Sequence, residues 1–365
     1  MNAETDNTEE VVAAWETFCD ELKDAAKILR RDDLELNNFD RVEGLRYLSR
    51  LARSGISTFA ELTGPRNPVF RTQPDLVKMG LDNPDNYYVG ASIKPAFDYK
   101  ITGNRGNIHY ISFAAQNQNF SAVDKITGGA GHLNASELEM DAQGNFEIIA
   151  SRTEHPGNWL QLADDTSQVL CRQTFLDRRV EREALLNIEC LEPSDPPPPL
   201  QLDRFAQQLI GASKYGKGTA RWFADWVVDM ANHAAPNELY LPPAEQHRKV
   251  GGDPNVRIYL GRWQLEADQA LLIDLEPPAC EYWNFQLANI WAESLDYSHR
   301  SVYINSGQAI ADDDGRVRLV VSASNPAVDN WMDTSGHSHG TMCVRWVLAD
   351  QHPQPKTQVV ALSSL

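Results

Sequence analysis

The residues best suited to chemistry gather late in the chain, between Asp296 and Arg345. Two polar stretches carry them, DYSHRSVYINSGQA from Asp296 to Ala309 and DNWMDTSGHSH from Asp329 to His339. His337 is a candidate general acid–base, because an imidazole titrates near neutral pH, and Asp333 could fix its tautomer. Arg345 lies within an apolar run, where a guanidinium must be paired or face a ligand, and it could steady an anion. These three are the candidate catalytic residues. His299, Tyr303, Asn305 and Gln308 are candidate substrate contacts, the last two through neutral amides. The same histidines allow two other readings. His337 and His339, completed by His299 or Asp333, could hold a metal. The glycines around them suit instead a loop whose Asp333 and His337 bond neighbours. No metal and no organic cofactor is expected.

The chain has no GxSxG elbow, P-loop, HExxH or dinucleotide-binding glycine pattern. ITGGAG, residues 126–131, lacks the Lys-Ser or Lys-Thr ending of a phosphate loop and reads as an ordinary loop. Asp312, Asp313 and Asp314 precede Gly315 without EF-hand spacing, which reads as a solvated hairpin turn.

The elements that would position these side chains look duplicated. Gly144–Asp177 and Gly315–Asp350 share a Gly turn, an apolar strand, Asn-Trp, a loop and a second strand bearing one Arg. Trp159 pairs with Trp331 and Arg172 with Arg345, 172 and 173 residues apart. Ile101, Tyr110 and Phe113 match Ile273, Tyr282 and Phe285 at the same offset, extending the repeat over four strands. Such a period predicts two related β domains rather than a solenoid. The shared Trp159 and Trp331 are expected to plug the cores, and Arg172 and Arg345 to occupy equivalent strands. Arg172 is expected to be closed in by its own domain. Arg345 is expected to open on a cavity near His337. Asp333, His337, His339, His299, Tyr303, Asn305 and Gln308 are expected to belong to the second copy alone.

The fold class expected is mainly β with added helices (α+β), two antiparallel sandwiches or jelly-roll-like domains. Residues 1–62 are N-terminal helices. Apolar steps from Val11 to Leu29 mark one over Glu9–Arg31. Asp40 with Glu43 resembles a capping box for the next, and 56–62 a short third. Residues 63–192 form the first β domain and PSDPPPP, 193–199, a stiff linker. Residues 200–235 are helical, broken by Gly211, Gly216 and Gly218. Residues 236–365 form the second β domain, with an edge strand near Thr357–Leu362. A pocket is expected between the β domains and the 200–232 helices, with Trp222 and Trp226 as substrate contacts.

A net charge of -18 argues against nucleic acid, whose phosphates need clustered Lys and Arg. No apolar run is long enough to span a membrane. The N-terminus lacks an apolar signal core. Five cysteines without a CxxC pair suit buried thiols in a reducing compartment, so a cytoplasmic location is expected.

NPDNYYVGASI, DYKITGNRGNIHYISF, GNWLQL and CRQTF in the first half, with HRSVYINSGQA, NPAVDNWMDTSGHSHGT and VRW in the second, are similar to a bacterial family. It carries a domain of unknown function, number 1214. The resemblance spans nearly the whole chain and implies two β-sandwich-like domains with helical additions. That family's reaction is unassigned, so it transfers no catalytic roles. Relatives often add another uncharacterised domain, number 1254, whose usual form this chain lacks. Typical members have one histidine in the DTSGHSHG block, matching His337, so His339 departs from the pattern. Three functions follow as expectations. The first is a cofactor-independent hydrolase or lyase acting on a small, largely apolar metabolite. The second is a non-catalytic binding protein for a sugar, lipid or terpenoid. The third is a scaffold whose sheet edges pair in a homo-oligomer.

Overall fold

A computed structural model describes residues 8–61, 64–72, 77–117, 130–192, 199–249 and 252–365. Most of the 126–131 loop and of the Pro-rich linker lies outside these residues. Helix α1 (Thr8–Ala25) continues as a 3-10 turn over Ala26–Arg30, and α2 (Asn38–Gly55) ends in a π turn over Ile56–Ala60. The cap of α2 is one turn earlier than the sequence reading: Asn37 and Asp40 form the reciprocal box. That leaves Glu43 free to bond elsewhere.

The first β domain comprises β1 (Arg71–Thr72), β2 (Asn86–Ser92), β3 (Tyr99–Asn104), β4 (Tyr110–Gln116), β5 (His132–Asn134), β6 (Asn145–Ser151), β7 (Trp159–Gln161), β8 (Gln168–Thr174) and β9 (Leu185–Cys190). Helices α3 (Leu202–Met230) and α4 (Ala244–Lys249) follow. The second domain comprises β10 (Val256–Gln264), β11 (Gln269–Leu275), β12 (Tyr282–Ala288), β13 (Tyr303–Asn305), β14 (Val317–Ser322), β15 (Trp331–Asp333), β16 (His339–Val347) and β17 (Lys356–Ala361).

The sheets run β1-β2-β8-β4-β5 and β7-β6-β3-β9 in the first domain, β10-β16-β12-β13 and β15-β14-β11-β17 in the second. Apart from β1, the strand orders are the same element for element, so the domains are two copies of one sandwich. Pairing is antiparallel except for β6–β7 and β14–β15, which are parallel in both copies. Alternate residues of each sheet fill the sandwich core, such as Phe113, Cys171 and Val89 in the first and Phe285, Val344 and Tyr259 in the second.

The Asn-Trp pairs show why the repeat keeps them. Asn158 donates to the carbonyls of Glu139 and Glu147 and accepts from the Glu139 amide, at 2.9, 2.9 and 2.7 Å. Asn330 does the same with Ile310 and Arg318, at 2.7, 3.0 and 2.8 Å. The indoles of Trp159 and Trp331 donate to Ser151 and Ser322 at 3.1 and 3.0 Å. Both tryptophans are only half-buried, which corrects their expected place in the cores: they clip a loop to the sheet edge. Replacing either asparagine with Ala leaves the same three backbone groups without their partner. Each variant is expected to lose about 2 kcal/mol in urea unfolding. Losses differing several-fold would mean the two clips are not equivalent.

Helix α3 is continuous over 29 residues, against the expected break at its glycines. A Cβ on Gly211 would press on Phe59 at 3.1 Å, and the tight approach of α3 to α2 is at Gly55, where a Cβ would meet the Ala212 carbonyl at 2.3 Å. Close packing on α2 outweighs the low helix propensity of glycine. Helices α2 and α3 cover the outer face of β10, β12 and β16 through Tyr47, Leu51, Val227, Met230, Ile258 and Leu260. Strand β17 pairs with β11 alone and is an edge. No helix among the described residues is long and apolar enough to cross a membrane.

Candidate functional site

The faces of the two central sheets that do not fill a sandwich core turn toward each other. Each domain sends a proline turn across to the other. Asn83-Pro84-Asp85 precedes β2, and Asp253-Pro254-Asn255 precedes β10. They fold alike: Asn83 Oδ1 accepts the Asp85 amide at 3.0 Å, and Asp253 Oδ1 accepts the Asn255 amide at 2.9 Å. Such side-chain turns suit Asn and Asp ahead of proline. Across the interface Asp85 accepts from Tyr282 at 2.6 Å and Asn305 at 2.8 Å, and Asn284 donates to Asn83 at 2.9 Å. Reciprocally, Asp253 accepts from Ser112 at 2.9 Å and Tyr110 at 3.5 Å, and lies 3.0 Å from His132 Nε2.

Beside this interface lies a cavity of about 1090 Å³, the size of a small-molecule site. Its walls come from β2, β8, β10, the Lys78–Asn83 segment and α3. Trp222, Phe223 and Trp226 of α3 line it, with Tyr88, Ile258 and Leu260. Gly80 adopts a left-handed φ of +63, and a Cβ there would meet the Phe223 ring at 2.5 Å. Gly252 is crowded likewise by the ring of His247, 2.3 Å from where its Cβ would stand.

Arg172 and Arg345 both line this cavity. Arg345 is 7% exposed and donates to Asn284 at 3.3 Å, to Gln286 at 2.5 Å and to the Leu81 carbonyl. Arg172 is the more exposed of the two. The expectation is therefore reversed in part: Arg345 is the enclosed arginine, Arg172 also faces the cavity, and neither opens near His337. Burial works to raise the Asp253 carboxyl, but His132 and Arg172 outweigh it and hold it well below the usual range. Asp85 goes the other way, pushed up by burial despite its bonds to Tyr282 and Asn305. The His247 imidazole, in the same cavity, is pushed down to about 4 by burial and Arg172, so it is neutral at pH 7.

The late polar cluster separates. His337 is buried with both ring nitrogens occupied, by the Thr334 carbonyl at 3.0 Å and by Glu43 of α2 at 2.7 Å. Phe39 packs on its ring at 4.8 Å. Asp333 does not orient it but pairs with Arg300 at 2.6 Å. His339 lies 3.2 Å from Asp40, and His299 is exposed and bonds Asp296 at 3.0 Å. The geometry thus contradicts the His337–Asp333 pair, because the imidazole serves as a bolt between α2 and the second domain. Among the described residues no three His, Cys, Asp or Glu side chains gather as a metal site. Tyr303, Asn305 and Gln308 stand at the domain interface, outside the cavity lining: the Asn305 side chain donates to Asp85 at 2.8 Å, its backbone amide donates to Gln308 Oε1 at 3.1 Å, and its Oδ1 accepts the Gln308 amide at 3.1 Å. Nor are Asn305 and Gln308 peculiar to the second copy, since Asn134 and Glu137 make the same turn at 2.8 Å. Trp222, Trp226 and Arg345 alone of the nominated site residues line the cavity. Sequence reading missed Arg172, Asp253, His247 and Lys78 as lining. The signal for one of them was present: two proline turns 170 residues apart with Asn and Asp exchanged.

The comparisons agree with this architecture. An uncharacterised protein from Burkholderia cenocepacia, of known crystal structure, is 38% identical over 98% of this chain and 99% of its own, with TM-score 0.93. The chain belongs to the family of that protein. The VPA0106 protein from Vibrio parahaemolyticus is similar at TM-score 0.50 and 11% identity, covering 86% of this chain and 97% of its own, which shows a shared fold alone. No protein-family model and no curated protein matches the chain.

Proposed function

We propose that this protein binds a small organic anion with an apolar body in the cavity between its two β domains. The observation that carries this reading is that the repeat-equivalent Arg172 and Arg345 line one cavity walled by Trp222, Phe223 and Trp226. Arginine matches carboxylates in shape and stays charged when buried. Aromatic side chains supply apolar area for the rest of the ligand. Membership of the family with domain of unknown function 1214, to which its sequence blocks are similar, is proposed separately and carries no ligand.

An acid–base enzyme, a hydrolase or lyase on such an anion, is the second reading. One observation favours it: His247 is neutral and stands in the same cavity as the ionised Asp253. In that case His247, not His337, takes the proton.

A cavity-filling variant tests the binding reading. A Cβ on Gly90 would meet nothing closer than 3.7 Å, so the strand tolerates a side chain there. Gly90→Leu would project into the lined space. Native mass spectrometry after incubation with a metabolite extract is expected to show a bound species on the unchanged protein and none on Gly90→Leu. The same adduct on both proteins would place the ligand elsewhere.

A further inference from the structure

The two arginines are equivalent by repeat but not by charge environment, and the difference lies in the proline turns. Asn83 and Asp253 occupy the same turn position, each accepting the amide two residues on. Asp253 lies on the side of Arg172, whose charge helps keep it ionised. Asn83, its counterpart, is neutral, and it bonds Asn284, which in turn accepts from Arg345. The carboxylate of that turn, Asp85, is displaced to the position of Asn255 and is bonded by Tyr282 and Asn305.

The other lining charges have their own neighbours. Lys78 donates to the carbonyls of Ser294 and Leu295, both at 2.7 Å, and sits near Asp82. Asp82 itself accepts the Ser294 amide at 2.9 Å and hydroxyl at 2.7 Å. Arg178 is exposed, and Arg71 donates to the Glu61 carbonyl at 2.7 Å. Arg345 is as buried as Lys78, at 7%, and differs from it in lacking an acidic neighbour such as Asp82: among the described residues its hydrogen-bond partners are two amide oxygens and one backbone carbonyl. A buried guanidinium held only by neutral acceptors keeps a full positive charge in a low dielectric, which favours an incoming anion. A second anion near Arg172 would instead meet the fixed charge of Asp253.

We infer that the ligand carries a single anionic group, seated on Arg345, and that the Asn83/Asp253 exchange between the two turns sets this charge count. The inference rests on the binding reading above and names its ligand class: a monoanion, such as a monocarboxylate, with its apolar body along Trp222, Phe223 and Trp226. The two halves of the cavity form a polar pair from one ancestral unit, one arginine on the side of a buried carboxylate and one held by neutral groups.

Isothermal titration with octanoate, octanedioate and 1-octanol tests it. The unchanged protein is expected to bind octanoate at least 10-fold more tightly than either of the others. Asn83→Asp places a carboxylate on the Arg345 side and is expected to bring octanoate down to the level of 1-octanol. Asn284→Asp, which sets the carboxylate directly on Arg345, is a second variant with the same expected loss, should the first misfold. Asp253→Asn keeps the shape of the turn, exposes the charge of Arg172 and is expected to strengthen octanedioate at least 10-fold. Octanedioate binding the unchanged protein as tightly as octanoate would overturn the charge count while leaving the cavity reading intact. So would folded Asn83→Asp and Asn284→Asp proteins that keep full octanoate affinity. Failure of all three probes to bind the unchanged protein would count against the cavity reading itself and this inference with it.

Discussion

Replacing Arg345 with Met is expected to weaken octanoate binding on the order of 100-fold while the protein stays folded. The guanidinium would make charge-assisted hydrogen bonds to the carboxylate, worth about 1.5–3 kcal/mol apiece, and 1.4 kcal/mol is a factor of ten. The cost to stability is expected to be small, within about 2 kcal/mol. Met leaves Asn284, Gln286 and the Leu81 carbonyl short of a donor, which destabilises. It also removes a desolvated charge that, among the described residues, makes no ion pair with a carboxylate, which offsets part of that loss. Arg172→Met should behave in the opposite sense. Asp253 is 4% exposed and would lose one of the charges that keep it ionised. That variant is expected to lose stability in urea unfolding, the loss being partial because Asp253 keeps His132 at 3.0 Å, and to lose little octanoate affinity. Titration calorimetry and denaturation on both variants decide the matter. If Arg345→Met kept its affinity and Arg172→Met lost it, the anion would sit at the other arginine.

His337→Ala is expected to cost about 3 kcal/mol of stability and to leave octanoate binding unchanged, because it breaks a buried ion pair far from the cavity. Glu43 would keep Arg46 at 2.6 Å and Asn289 at 3.1 Å but lose its closest buried partner. The pH dependence follows from two opposite shifts. Burial works to lower the His337 imidazole, but Glu43 outweighs it, and the net shift is upward from 6.5. Burial works to raise Glu43, but His337 outweighs it, and the net shift is downward from 4.5. A raised histidine contributes stability that is full below its unfolded pKa and lost as pH rises through its folded one. A lowered glutamate contributes stability that is full above its unfolded pKa and lost as pH falls through its folded one. The pair therefore helps most between 4.5 and 6.5 and fades above neutrality. Urea unfolding of the unchanged protein and of His337→Ala should differ most near pH 5.5 and least near pH 9. A gap that widened with pH would contradict the ion pair.

The residues of the sequence determined the duplicated sandwich. Periodic apolar strands and the Asn-Trp clip lie within one copy, and each copy repeats them at nearly constant spacing, so local pattern was enough to match Trp159 with Trp331 and Arg172 with Arg345. The helices α1 and α2 were legible as helices but not fully in their buried faces: Val11, Trp15, Val42 and Leu45 of the expected apolar steps are exposed, while Phe18 and Ala25 of α1 and Tyr47 and Leu51 of α2 are buried. What only the tertiary structure decided were the partners between copies and between helix and sheet. His337 faces Glu43, 294 residues away, and Asn284 faces Asn83, 201 residues away. No spacing rule links such positions, because they meet only after separate elements pack. The cluster around Asp333 and His337 looked like a site because its residues are close in sequence. In space, the loop turns its imidazole inward to α2 and its carboxylate outward to Arg300. The charge difference between the two arginines was written in the exchanged Asn and Asp of the proline turns. It acquires meaning only when each turn crosses to the other domain, because a carboxylate acts on a guanidinium strongly only once folding brings the two close together out of water.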